Sequence, residues 1–450
     1  MITTLKDSFN AKWFKTFFIL ILTMLAGGGI FASPAAAEGD AGLSAPGLTA
    51  RFDQAAPTAS LGQDLPPLDL YIKAQLSKAH MAGLSAAIVK NGQVVWMGAY
   101  GYSRVNSKEP VTSETLFELA SVSKTVIATA VMQLWEDGQL DLDADINAYL
   151  PFRVVNPHFP EVPITTRMLM THTSSIVDDS LVFLKEYGRG DPTIPLGQFL
   201  SNYLTPGGSY YDPDQNYSQA APGTAFSYSN FGASLAAYLV EAITGIPFDE
   251  YCNTRIFQPL GMTETSYRFA DLELSHMAMP YGYNEHTSLY LPYGFYGCPL
   301  YPAGWVITSA PQLARHLVSF IQYGELDGVQ ILQPETVEEM RRIQYPDIAP
   351  DFGLFWYSKN LPTPRHDRNL LSLCRPGTLA HGHAVWLQRA YQPLPSLWFL
   401  WLPALSCRLG DHQRPPACPP SRLLHPVWRT GWGKDSEAGD RGRNAPDSIS

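Results

Sequence analysis

Cysteine is scarce, with five residues (Cys252, Cys298, Cys374, Cys407 and Cys418) in a chain of 450. No two of them stand at the spacing that a zinc site draws on, so no metal centre is expected. Nothing else in the chain requires a cofactor. An exported chain could pair Cys252 with Cys298, a question of geometry that spacing leaves open. Basic charge is also in deficit: 31 Lys and Arg against 41 Asp and Glu give a formal net charge of −10. Phosphate binding wants a concentrated basic surface, so nucleic acid is not an expected partner. Long apolar runs are missing too. The stretch from Phe17 to Leu25 is short against the roughly 20 apolar residues that span a bilayer. A mean hydropathy of −0.09 excludes a polytopic membrane protein.

Lys12 and Lys15 precede the apolar stretch, and small residues lead from it to Ser33-Pro34-Ala35-Ala36-Ala37. A basic start, a short apolar run and an Ala-x-Ala site predict a signal peptide over residues 1–37, cut after Ala37. The protein would then be exported, to a periplasm or the outside. The alternative is an uncleaved anchor that keeps the chain at a membrane. Residues 38–65, rich in Ala, Pro and Gly, read as a mobile linker. The rest is long enough, and at 45% hydrophobic apolar enough, to bury a large core.

Along the main domain, Leu68 to Ala79 predicts a helix. Leu84–Val89 and Val94–Tyr100 flank Asn91-Gly92, a strong hairpin signal that places the edge of an antiparallel sheet here. Ile127, Ala130, Val131 and Leu134 recur at helical spacing up to a stop at Asp137-Gly138. Residues from about 141 to 270 read as mostly helical and loop-rich, with a long polar loop over about 188–222. Further helices run through Leu235, Leu239 and Ile243 to Gly245, and through Leu313, Leu317 and Phe320. Phe352 to Tyr357 has the composition of a strand returning to the sheet. No internal repeat is visible.

Chemistry enters at Ser121-Val122-Ser123-Lys124, at the mouth of the first of these long helices. A serine three residues before a lysine puts hydroxyl and amine on one helical face. An unprotonated amine there can take the hydroxyl proton and make the oxygen a nucleophile. The free N–H groups and dipole of the helix start favour developing negative charge. Alone, Ser-x-x-Lys is expected about once or twice by chance in this length, and Ser121 could equally be a helix cap. Tyr228-Ser229-Asn230 adds to it. An ammonium near a phenol favours the phenolate, so Tyr228 can act as base towards Ser121 and later as acid towards the leaving group. Asn230 offers an amide to both Lys124 and a substrate carbonyl, its alternative being a helix N-cap.

Together and in this order, these motifs resemble the serine β-lactamase and penicillin-recognising family, especially its class C and esterase-like branch. The resemblance spans roughly residues 66–357. It includes Phe117-Glu118-Leu119-Ala120 before the serine, Leu169-Met170-Thr171-His172-Thr173-Ser174, Pro222-Gly223, Pro259-Leu260-Gly261-Met262 and Ala303-Gly304-Trp305. It implies an α/β (α+β) fold of the β-lactamase/transpeptidase type: an antiparallel sheet built from both chain ends, flanked by helices, with an inserted mostly helical region. It also implies an acyl-enzyme at Ser121, proton transfer shared by Lys124 and Tyr228, substrate contact by Asn230, and an oxyanion hole using the Ser121 N–H. For His172, which could otherwise be the base of a Ser-His pair, it implies a buried, hydrogen-bonded structural ring. The substrate would be an ester, amide or β-lactam, in a small molecule or peptide. Which of Lys124 and Tyr228 is the acylation base stays open, as it does for the lysine of related class A enzymes. A reading from a different class is an inactive relative that keeps the pocket to bind peptidoglycan fragments or a protein partner.

One expected motif is missing. The family carries Lys-Thr-Gly or His-x-Gly on a strand beside the serine, and this chain offers only Ala380-His381-Gly382-His383. Composition shifts there too: residues 1–360 hold ten Lys and ten Arg, while 361–450 hold one Lys and ten Arg, with five of the ten Trp. So many tryptophans argue against a disordered tail. The domain is therefore expected to end, incomplete, near residue 360, with 361–450 read out of frame. Ala-His-Gly-His is encoded GCN-CAY-GGN-CAY. Moved one base forward, this becomes CNC-AYG-GNC, which permits His-Thr-Gly. The same shift across Trp386-Leu387 forces a glycine, followed by positions that permit Phe and Ser, as the family would show. The rival is a genuine divergent tail whose apolar run, Leu394 to Leu405, makes a partner or membrane contact.

Overall fold

The computed structural model describes residues 59–62, 66–90, 92–357, 397–403 and 406–409. The signal segment, most of the linker and Ala380–His383 lie outside them. The expected hairpin forms as β2 (Gly83–Lys90) and β3 (Gln93–Arg104), paired antiparallel, with Gly92 at φ +74° in the turn. A side chain at that φ is strained, which is why Asn-Gly marks the turn. Three further strands complete a five-stranded sheet: β1 (Ala59–Gly62) and β6 (Leu397–Pro403) give the order β1-β3-β2-β6, and the short strand Glu109–Pro110 pairs with β3 off that path. β1 pairs antiparallel with β3, and β6 pairs antiparallel with β2. The sheet therefore draws on both ends of the chain. β1 also shortens the expected linker, because Ala59–Gly62 is already ordered as an edge strand.

Helix α1 (Pro66–Ala79) lays Ile72 and Leu76 against Leu84, Ile88 and Trp96 on one face of the sheet. On the other side lies the large core, centred on α2 (Lys124–Glu136). Every residue of α2 from Lys124 to Met132 is buried, as is Leu134. A helix apolar on all sides belongs inside. Each Ile, Leu or Val enclosed there contributes roughly 1.5–3 kcal/mol over its exposed state.

The expected 188–222 loop contains a helix, α3 (Leu196–Leu204), that buries Leu196, Phe199, Leu200 and Tyr203. Their spacing is itself a helical pattern, hidden by the Tyr, Pro and Gly around it. α4 (Asn230–Thr244) begins at Ser229, whose hydroxyl accepts the Gly232 N–H at 2.9 Å, and stops at Gly245 in the left-handed region. α5 (Ala310–Ile321) buries Leu313, Leu317 and Phe320 as its pattern requires.

The expected strand at Phe352–Tyr357 does not form. The segment turns on itself through a bridge between Phe352 and Tyr357. Phe355 takes φ +55°, and its N–H reaches the Met170 carbonyl at 2.9 Å. The aromatics spread in different directions: Trp356 stacks on Phe320 at 3.7 Å, while Phe355 lies 5.4 Å from His172. Strand composition without strand alternation is packing material, not a strand. The suggested pairing of Cys252 with Cys298 is likewise absent, and both are buried free thiols.

Candidate active site

Ser121 lies in a 3₁₀ turn, Ala120–Ser123, that runs straight into α2. The turn is placed by β4 (Phe117–Glu118), which pairs antiparallel with β5 (Ile307–Thr308). The Ser123 hydroxyl accepts the Val306 N–H at 3.0 Å. Ala120, just ahead of the nucleophile position, takes φ +47°, a left-handed conformation that costs a non-glycine residue about 1 kcal/mol or more. The surrounding bonds hold it there.

Lys124, only 3% exposed, points its ammonium at three oxygens. Nζ donates to Asn230 Oδ1 at 2.7 Å, to the Ala303 carbonyl at 2.8 Å, and more weakly to Ser121 Oγ at 3.4 Å. The Tyr228 hydroxyl reaches the same Ser121 Oγ at 2.8 Å. Lys124 Nζ also sits 4.9 Å from the centre of the Tyr228 ring. The structure thus gathers all four residues expected from the sequence: Ser121, Lys124, Tyr228 and Asn230. Tyr228 is 42% exposed, so the group facing the nucleophile is open to an incoming molecule.

Asn230 is not the helix cap. Ser229 takes that role, which frees the Asn230 amide for the site. Its Nδ2 donates to Asp178 Oδ2 at 2.9 Å. Asp178, unremarked in the sequence, also accepts the N–H groups of Asn230 and Phe231 at 2.9 and 3.1 Å, and the Ser229 hydroxyl at 2.8 Å. Burial raises its proton affinity above that of an ordinary carboxyl, partly offset by these donors and by the Lys124 charge. One of two adjacent aspartates after a Thr-Ser-rich stretch obeys no spacing rule, and nothing in the sequence singled out Asp178. Ala303 was marked only as part of the family-like Ala303-Gly304-Trp305 segment, and nothing in that motif assigned its carbonyl to Lys124.

His172 is buried, as expected. Its Nδ1 accepts the Ser229 N–H at 3.2 Å, and its ring lies 4.2 Å from that of Tyr228. Burial, followed by the nearby Lys124 charge, pushes its pKa well down, so the ring is neutral. It backs the tyrosine without adding charge. No cluster of three or more His, Cys, Asp or Glu among the described residues could hold a metal.

In this site a lysine and a tyrosine converge on one serine oxygen. The chain belongs to the Beta-lactamase family, whose model matches residues 68–389. The family likeness read from the sequence is thereby borne out. It is 28% identical over 221 residues to Penicillin-binding protein 4* of Bacillus subtilis (strain 168), covering 48% of this chain and 45% of that one. To Protein flp of Staphylococcus aureus (strain N315) it is 27% identical over 298 residues, covering 65% of this chain and 56% of that one. The chain thus spans about half the length of these relatives. Among solved structures, a penicillin binding protein from Bacillus halodurans superposes with a TM-score of 0.50 at 21% identity, covering 64% of this chain and 84% of that one. That likeness concerns the fold, which is the α/β arrangement expected.

Proposed function

We propose that this chain is an exported serine hydrolase that forms an acyl-enzyme at Ser121 and hydrolyses an ester, amide or β-lactam bond. The observation that carries the reading is the convergence of Lys124 Nζ and the Tyr228 hydroxyl on Ser121 Oγ. The Tyr228 hydroxyl, which donates to Ser121 Oγ at 2.8 Å against 3.4 Å for Lys124, is the nearer of the two proton carriers. Lys124 Nζ lies 4.9 Å from the centre of the Tyr228 ring, and the two residues share the transfer of the Ser121 proton. Ser121 Oγ attacks the substrate carbonyl, and the Ser121 N–H supports the oxyanion. Tyr228 then passes the proton to the leaving group, and water cleaves the acyl-enzyme by the reverse sequence. The free Asn230 amide hydrogen is left to orient the substrate carbonyl.

A fluorophosphonate or fluorescent penicillin added to the full chain tests this directly. An adduct mapped to Ser121, lost in Ser121→Ala and slowed about 10²–10⁴-fold in Tyr228→Phe, supports the acyl-enzyme. No adduct under any condition overturns it in favour of a protein that binds peptidoglycan fragments without turnover. Side-by-side rates on a chromogenic cephalosporin, a p-nitrophenyl ester and a D-Ala-D-Ala peptide then assign the substrate.

A further inference from the structure

We propose that Asp178 is a positioning residue that locks the Asn230 amide in the one orientation able to hold Lys124. An asparagine amide can turn by half a rotation and exchange its donor and acceptor ends. Only the Oδ1 end can meet Lys124, because Nδ2 and an ammonium are both donors. Asp178 decides the matter from the other side. Ionised, it is an acceptor alone, and each of its four partners brings a hydrogen: Ser229 Oγ, Asn230 N, Phe231 N and Asn230 Nδ2. With the amide turned over, Oδ1 would face Asp178 Oδ2, acceptor against acceptor, and Nδ2 would face Lys124, donor against donor.

The two backbone N–H groups matter as much as the amide. They tie the carboxylate to the first turn of α4, where the helix dipole favours a negative charge, so Asp178 cannot drift from the side chain it orients. The result is a line from half-buried Asp178 through half-buried Asn230 to buried Lys124, in which the anion offsets the cation through a single amide. An unpaired charge in the place of Lys124 is expensive. Removing Asp178 frees the amide to rotate, and Lys124 keeps only the Ala303 carbonyl as a firm anchor.

The catalytic consequence rests on the function proposed above, but the positioning does not, so it is tested without turnover. The full-length chain is treated with sulfo-NHS acetate, and acetylation of Lys124 is followed by peptide mass spectrometry, with exposed Lys73 and Lys108 as internal references. Lys124 should be protected in the wild type. Asp178→Asn and Asn230→Ala should each raise its acetylation about tenfold or more, the factor carried by one hydrogen bond to a charged group. The double variant should match the single ones, because both act through one bond. Ser229→Ala removes a donor to Asp178 and the cap of α4 without touching the amide. It should lower stability and leave Lys124 protected. Protection kept in Asp178→Asn, multiplying effects in the double variant, or Lys124 released equally by Ser229→Ala would each overturn the proposal. Near-UV circular dichroism identifies a variant that fails to fold, and Asn230→Ala against Ser229→Ala then still decides the question. A wild type that takes no fluorophosphonate would sink the proposed function and leave this result readable.

Discussion

Replacing Glu118 with glutamine should make folding stability less sensitive to pH in a defined window. Glu118 stands on β4 just ahead of the nucleophile turn, and its Oε1 is fully enclosed with no partner. Burial raises its pKa from 4.5 to about 8. Between those values the folded state holds a proton that the unfolded state releases, so stability falls as pH rises from about 4.5 to about 8. It levels off above that. The slope is at most about 1.4 kcal/mol per pH unit. Summed over the window it reaches on the order of 5 kcal/mol, an upper bound because the rest of Glu118 keeps some exposure. Glutamine has nearly the same shape and no charge to bury. Urea unfolding of both proteins at pH 5, 6, 7 and 8 gives the comparison, and other titrating groups cancel in the difference. Glu118→Gln should gain on the wild type steadily from pH 5 to pH 8. A difference that stays constant over that range would refute the assignment of a buried, protonated carboxyl.

His316 works in the opposite direction. It is fully buried against Thr129, and burial lowers its pKa from 6.5 to about 4. Stability is therefore present above about pH 6.5 and lost as pH falls towards 4, on the order of 3 kcal/mol in all. His316→Gln should show a shallower loss in the same urea series. For the tail beyond residue 360, we propose a shifted reading frame, and the coding DNA decides it. Codons around Ala380 should permit His-Thr-Gly one base forward, and codons that forbid it would end the idea.

Local signals were legible in the sequence wherever one residue has one conformational use. Asn91-Gly92 announced the hairpin, and Gly245 announced the end of α4. The trio of Ser121, Lys124 and Tyr228 was legible because its chemistry restricts residue type and spacing together. Asp178 was not, since a loop aspartate becomes informative only once folding brings Asn230 and two helix N–H groups to it. The same limit explains Phe352–Tyr357: aromatic content says that a segment will be buried, but where each ring goes depends on partners such as Phe320 and His172, distant in the chain. α3 was missed for a simpler reason, because the helical spacing of Leu196, Phe199, Leu200 and Tyr203 is short and surrounded by turn-forming residues.

The Ala303 carbonyl that accepts from Lys124 belongs to the main chain. No side-chain replacement can delete it. A systematic mutational scan of the site would register Asn230 and pass over position 303, although the two oxygens lie at nearly equal distances from the same nitrogen. Changes at 303 would speak only when they moved the backbone, as a bulky residue or a proline at 304 would. One of the lysine's three oxygen partners is therefore silent to genetics, and an inventory of the site drawn from substitutions alone would understate what keeps Lys124 in place.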